Sequence, residues 1–326
     1  MNICIVYKNT IPVYAYGGIQ RIIWWLGKEL VRRGHNITYL VGKGSSCDFA
    51  RVLTYQSEVD INEQIPEDID VVHLYVEPES PLKKPYLFNM QSNTVPTKEY
   101  DINTVFVSHD HAKRHHAEAF VYNGIDPDDY PGLDLKGKKS YFHFLAKAAW
   151  HVKNLKGAIE ITRKSKQKLE VVGGHRLNFK MGFRLTLDTH VKFHGMQGGE
   201  KKNNVLRKSK GLIFPVIWYE PFGIAITESM YYGCPVFGTP YGSLPEIVTE
   251  EVGFLSASKD ELIEQLSAPL SYDPRRCHER VMDMFSVKQM TDSYLALYEK
   301  VMNGHSLNAQ RPKHIFDPEE KNLPFY

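Results

Sequence analysis

Asn2-Ile-Cys-Ile-Val-Tyr7 is a continuous apolar run. Such a run, unlike an alternating one, reads as a parallel strand buried on both faces. A loop with Pro12, Gly17 and Gly18 follows. Residues 19–33 then place Ile22, Ile23, Leu26 and Leu30 on one helical face, and Gly34-His35 stops the helix. Residues 36–41 make the next strand. This β–loop–α–β order is the unit of a doubly wound sheet. Residues 70–75 and 104–108 add buried strands. A second cycle starts near Lys139, with strands over 141–145, 169–172, 191–194, 211–215 and 235–237. Helices over 154–165 and 224–232 alternate with them, and 261–266 and 287–301 read as C-terminal helices. The turn formers of residues 123–132 suit a linker. The expectation is α/β: two Rossmann-like domains, 1–130 and 131–302, facing across a cleft, then a polar tail, 303–326, that is extended or mobile.

A chain of 326 residues accommodates two such domains. Its 40 Lys and Arg nearly balance 38 Asp and Glu, which argues against a nucleic-acid partner. The balance is uneven along the chain. Residues 1–135 hold 12 basic against 18 acidic side chains, a net of −6, and the remainder 28 against 20, a net of +8. A basic half suits an anionic ligand or simply a solvated surface. Cys4, Cys47, Cys234 and Cys277 form no C-x-x-C pair, so zinc and redox motifs are absent. No signal peptide is expected at the front, and no apolar run approaches the ~20 residues of a membrane span. A soluble, cytoplasmic protein is the expectation.

The most informative stretch is Phe214-Pro-Val-Ile-Trp-Tyr-Glu220-Pro-Phe-Gly-Ile-Ala-Ile-Thr-Glu228. A strand ends in a loop holding Glu220, and a helix begins near Gly223. Glu228 lies on that helix, so two carboxylates can face one cleft where open α/β sheets bind ligands. The helix start offers N–H groups around Phe222, Gly223 and Ile224 to phosphate. Carboxylates suit sugar hydroxyls, since each accepts two donors. Two surface glutamates beside a capping turn are the alternative.

This stretch resembles the E-x7-E signature of retaining glycosyltransferases of family 4, which have the GT-B fold. Gly233-Cys-Pro-Val236, Gly242-Ser-Leu-Pro-Glu-Ile-Val248 and Gly253-Phe-Leu255 resemble motifs that follow it there. Tyr16-Gly-Gly-Ile-Gln-Arg21, Arg33-Gly-His35 and Asn123-Gly-Ile-Asp126 resemble motifs that precede it. The resemblance implies that Glu220 contacts hydroxyls of the donor sugar and Glu228 the nucleotide ribose. The amides of Phe222, Gly223 and Ile224 would then sit against the donor sugar and diphosphate.

The resemblance also implies two cations for the diphosphate, Lys147 and Lys153. Lys147 stands where the family usually has Arg, a point charge in place of a fork. Lys156 competes with Lys153 for the second role, and solvated lysines are the bland alternative. Gly17 and Gly18 allow close ligand approach, or form a plain tight turn; they make no dinucleotide motif. Gln91 falls where the family commonly has a histidine facing the donor sugar. Glutamine can hydrogen-bond but cannot donate a proton as an acid.

His109, His111, His115 and His116 read as an exposed, partly basic helix rather than a metal site, and no metal or cofactor is expected. Trp24-Trp25, flanked by basic residues, reads as core packing or as a peripheral membrane face. The resulting expectation is transfer of a sugar from a nucleoside diphosphate to an unknown acceptor hydroxyl. A non-catalytic sugar-nucleotide-binding protein and a GT-B epimerase or phosphorylase are the alternatives. Base, sugar, acceptor and oligomeric state leave no trace in the sequence.

Overall fold

The computed structural model describes residues 1–13, 17–93, 98–179, 181–314 and 322–326. In chain order the elements begin β1 (Asn2–Tyr7), α1 (Gly18–Arg32), β2 (Asn36–Val41), β3 (Arg51–Thr54), α2 (Ile61–Gln64), β4 (Val71–Leu74), β5 (Tyr86–Asn89), β6 (Thr104–Val105) and α3 (His109–Lys113). The next are β7 (Tyr141–Leu145), α4 (Leu155–Lys164), β8 (Leu169–Val172), β9 (Leu177–Asn178), β10 (Arg184–Leu185), β11 (Val191–Phe193), α5 (Gly199–Arg207) and β12 (Ser209–Phe214). The chain continues with α6 (Ile224–Tyr231), β13 (Val236–Gly238), α7 (Leu244–Ile247), β14 (Gly253–Leu255), α8 (Lys259–Ser267), α9 (Pro274–Met284) and α10 (Val287–Met302).

The chain divides into two compact units, residues 1–126 with 285–317 and residues 127–284 with 318–326. The first unit holds a parallel sheet in the order β3-β2-β1-β4-β5-β6. The second repeats the plan as β11-β8-β7-β12-β13-β14. Both are the doubly wound order, in which ligands bind beyond the carboxyl ends of the strands where the winding reverses. Those points lie between β1 and β4, and between β7 and β12. The expected two Rossmann-like domains are thus present. Among the described residues, no helix is long and apolar enough to cross a membrane.

In the first unit Ile5 pairs with Tyr39 on one side and His73 on the other. The α1 face expected from the sequence is buried: Ile22, Ile23, Leu26 and Leu30 are all inaccessible. Gly27 lets the helix lie on β2, since a Cβ there would sit 1.9 Å from the Tyr39 hydroxyl. The tryptophans pack inward. Trp25 is buried, and Trp24 stacks on Tyr39 with ring centroids 6.5 Å apart and meets Phe49 edge-on at 4.8 Å.

Three expectations are corrected. The helix over 287–302 belongs to the first unit rather than the second domain. Its buried Tyr294 and Tyr298 find hydroxyl partners on the first sheet, Asn89 Nδ2 at 2.6 Å and His73 Nδ1 at 2.7 Å. The close approach of Gly124 to the Ser286 carbonyl fixes its start. The polar tail is docked at its described residues around Asn308 and at Leu323 to Tyr326. Asn308 accepts from the amides of Glu118 and Ala119 and donates to the carbonyls of Ile102 and Thr104, replacing strand partners beside β6. Past the undescribed residues 315–321, the amide of Leu323 donates to Ile217, and that of Lys259 to Tyr326. Finally, His111 and His115 are fully buried, although His109 and His116 are exposed. The His115 ring stacks on Phe106 at 4.5 Å, and burial lowers its pKa to about 3.

Candidate active site

In the second unit the reversal point lies between β7 and β12. The loop after β7 carries Lys147 and Lys153; the loop after β12 carries Trp218 and Glu220. The structure brings Lys153 and Glu220 together. Lys153 Nζ lies 2.5 Å from Glu220 Oε2, and Trp218 Nε1 donates to the same oxygen at 2.7 Å. Both charged groups are largely buried, 8% and 5% exposed, so each needs the other. Aromatic faces complete the lysine's surroundings: its Nζ is 4.7 Å from the Trp218 ring centre, 5.4 Å from Phe214 and 5.8 Å from Trp150. Lys153 rather than Lys156 therefore faces Glu220; Lys156 is exposed. The turn is fixed by Asn154, left-handed at φ 52°, whose side chain caps α4 by accepting from Gly157 and donates to Pro215.

Lys147 is half-buried at the end of β7. Its loop is knitted to the next ones by main-chain bonds: Ala148 donates to Gly173, Gly173 to Gly195, and Gly195 back to Gly174. Gly173 must be glycine, because at φ 117° a Cβ would lie 1.9 Å from the Ala146 carbonyl oxygen.

Gly223 caps α6 in the left-handed region at φ 85°, and a Cβ there would press on Glu220 Cγ at 3.3 Å. The Ile226 amide donates to the Gly223 carbonyl at 2.8 Å, while those of Ile224 and Ala225 stand at the helix start, where no i−4 carbonyl lies within the helix and the positive end of its dipole falls. Phe222 is buried, with its carbonyl held by Ser243 Oγ at 2.7 Å. The Ser243 amide donates to the Glu220 carbonyl at 2.9 Å.

Glu228 sits one turn further along α6 and is 2% exposed. Its Oε1 accepts from the Tyr130 hydroxyl at 2.7 Å and pairs with Lys202 Nζ. Lys202 also lies 5.0 Å from the Tyr130 ring centre. The two glutamates thus occupy separate polar centres, one built by Lys153 and Trp218, the other by Lys202 and Tyr130.

Gly17, Gly18 and Gln91 belong to the first unit. Gly17 and Gly18 open α1 beyond the carboxyl end of β1; Tyr16 lies outside the described residues. A Cβ on Gly17 would meet Gln20 Oε1 at 2.7 Å and Val13 Cγ2 at 2.8 Å. Gln91 follows β5 and exchanges two hydrogen bonds with Asn123, at 3.0 and 2.9 Å, and donates to Asn89. It lines a cavity of about 300 Å³ with Tyr75, Asn89, Asn93, Lys98 and Tyr100. Asn123-Gly-Ile-Asp126 is structural here, since Asp126 pairs with Lys28 at 2.8 Å. A cavity of about 500 Å³ in the second unit, bordered by Lys139, Ser209 and Lys210, lies where strands begin, far from their carboxyl ends.

Trp150, Trp218, Lys202, Tyr130, Gly242 and Ser243 escape sequence reasoning as site residues. Lys202 leaves one signal: with Val205 and Leu206 it occupies positions i, i+3 and i+4, a cation on an apolar helical face. The pairing with Glu228 leaves none.

A model of the family described as Glycosyl transferases group 1 matches residues 128–279. Sucrose synthase 1 of Oryza sativa is 27% identical over a segment covering 41% of this chain and 19% of that protein. The match thus spans about a fifth of the curated relative. Among solved structures, AviGT4, a glycosyltransferase involved in avilamycin A biosynthesis, superposes with a TM-score of 0.74 at 18% identity, over 94% of this chain and 99% of that one. HepE of Anabaena, solved with UDP and glucose, gives 0.64 at 14% identity, over 92% and 99%. These likenesses establish the two-domain fold. Residues 128–279 thus resemble the group 1 glycosyl transferases, and the chain has the GT-B fold of these solved structures.

Proposed function

We propose that this protein is a retaining glycosyltransferase of the family 4 type. It moves a sugar from a nucleoside diphosphate to an acceptor hydroxyl, in glycan, lipopolysaccharide or glycoconjugate synthesis. The observation that carries the reading is the oriented carboxylate of Glu220 beside the start of α6. Both of its described partners, Lys153 and Trp218, take Oε2. Oε1 then serves as acceptor for hydroxyls of the donor sugar.

Charge builds on the leaving diphosphate as the glycosidic bond breaks. Lys147, Lys153 and the amides of Phe222, Gly223 and Ile224 leading into α6 are the groups for it, and fixed dipoles of this kind need no reorganisation during reaction. No metal or organic cofactor enters the scheme. Glu228 holds the nucleotide ribose. Gln91, already hydrogen-bonded to Asn123, serves as a donor or acceptor to sugar hydroxyls and not as an acid. A UDP-sugar is the first donor to try, as HepE was solved with UDP and glucose. A nucleotide-sugar donor goes with action in the cytoplasm.

The test is release of nucleoside diphosphate from UDP-, GDP- and ADP-sugars by the wild type and Glu220→Ala. Loss of Glu220 should lower turnover by about 10²-fold or more. Unchanged release in the variant refutes the assignment. The anomeric configuration of the product, read by NMR, decides retention.

A further inference from the structure

Between β8 and β11 the second unit extends a hairpin. β9 pairs antiparallel with β10, Leu177 opposite Leu185 and Asn178 opposite Arg184. Leu177, Phe179, Met181, Phe183, Leu185 and Leu187 alternate along it, the spacing that shares one face of a strand. All six are exposed, from 47% at Leu177 to 77% at Leu187. The Phe179 and Phe183 rings lie 5.8 Å apart across the hairpin. Other large exposed hydrophobics among the described residues, Leu133, Met196, Met284 and Tyr326, are scattered.

Arg176 and Arg184 anchor the hairpin. Arg176 donates to the carbonyls of Thr186, Asp188 and Val191. Arg184 donates to those of His175 and Ala148. The guanidinium groups tie the hairpin to the domain and leave the apolar face projecting into solvent. Water disfavours so continuous an apolar surface, which marks it as a site of attachment.

The chemistry of the segment selects the partner. From Val171 to Leu187 the sequence has Arg176, Lys180 and Arg184 and no Asp or Glu; Lys180 lies outside the described residues. Protein hot spots are anchored by Trp, Tyr and Arg, with Leu under-represented. This face has neither Trp nor Tyr, and its arginines give N–H donors to carbonyls of the domain while keeping their charge. Phe, Leu and Met need only a hydrocarbon phase, and three positive charges without an acid complement anionic head groups. We infer that the β9–β10 hairpin dips into an anionic bilayer surface and seats the protein there. The inference is independent of the glycosyltransferase reading.

The test is flotation of the full chain with vesicles of phosphatidylcholine, alone or mixed with phosphatidylglycerol. The wild type should float with the mixed vesicles and much less with the neutral ones. Phe179→Ser with Phe183→Ser should weaken binding at least tenfold, about the value of partly burying two phenyl rings. Both rings are solvent-exposed, so the melting temperature should hold; Leu187→Ser is a second, separate probe. Failure of the wild type to bind mixed vesicles, equal binding to neutral ones, or unweakened binding by folded variants overturns the inference. So does a dimer that binds no vesicle and is dissociated by the double substitution, which would assign the face to a second copy.

Discussion

The backbone of Gly242 lies against the backbone of Glu220: a Cβ on Gly242 would fall 2.3 Å from the Glu220 carbonyl oxygen and 2.4 Å from its nitrogen. Gly242 is also left-handed, at φ 65°. The segment Gly242-Ser243 therefore sets the position of the Glu220 loop through main-chain contact.

Gly242→Ala should both strain the backbone and displace Glu220. The stability loss should be about 1–3 kcal/mol. Turnover of donor should fall further than stability explains, by about 10²-fold, because misplacement by an ångström has that effect. Urea unfolding and donor hydrolysis measured on the same preparation check this. Full activity in the folded variant would free Glu220 from dependence on Gly242.

Lys153 and Lys147 should separate stability from activity. Lys153→Met leaves the Glu220 carboxylate buried without its cation, which should cost about 3–5 kcal/mol. Lys147 is half-buried, and among the described residues no ion pair holds it. Lys147→Ala should change stability by about 0.5 kcal/mol or less, yet lower donor turnover by about 10²-fold. Equal stability losses in the two variants would contradict the geometry.

Much of this arrangement is legible in the sequence, and the reasons differ by residue. The strand β1 is a continuous apolar run because it lies centrally in a parallel sheet, and β2 and β7 are interrupted only by Thr38 and His143 once past Asn36, so the run of apolar residues finds all three. The site loop is visible because Gly223 and the two glutamates have fixed spacing on a strand–loop–helix. The partners Lys202 and Tyr130 are invisible because they reach Glu228 from α5 and from the residues after the unit boundary, by tertiary contact only. The placement of α10 is hidden for a similar reason. Its Tyr294 and Tyr298 face Asn89 and His73, some 200 residues away in sequence. The short β5 gives too few residues for a period to declare itself.

Lys202 and Glu228 offer a test that divides packing from binding. Lys202→Met alone strands a buried carboxylate and should destabilise by about 3–5 kcal/mol. Lys202→Met combined with Glu228→Leu replaces the pair by apolar side chains and should recover most of that loss. The double variant should still fail to bind nucleoside diphosphate, since no carboxylate is left for the ribose. Thermal melting and isothermal titration with UDP read the two effects. Undiminished UDP binding by the double variant would remove Glu228 from the ribose site.

Acid should destabilise both units through buried neutral histidines. Burial lowers the pKa of His73, His115 and His143 to about 3, against 6.5 for an exposed ring. His143 is held between two hydroxyls, Ser209 Oγ at 2.6 Å and Ser229 Oγ at 2.8 Å, with no room for a charge to be solvated. Between pH 6.5 and about 3 the unfolded chain binds protons that the folded chain refuses. Stability is therefore fully present above 6.5 and drains away as pH falls toward 3. At about pH 5 the loss is about 2 kcal/mol for each such histidine. His73 and His115 lie in the first unit and His143 in the second, so the melting transitions of both should move down between neutral pH and about pH 5. A melting temperature that stays flat over that interval would show that these rings are protonated in the folded protein.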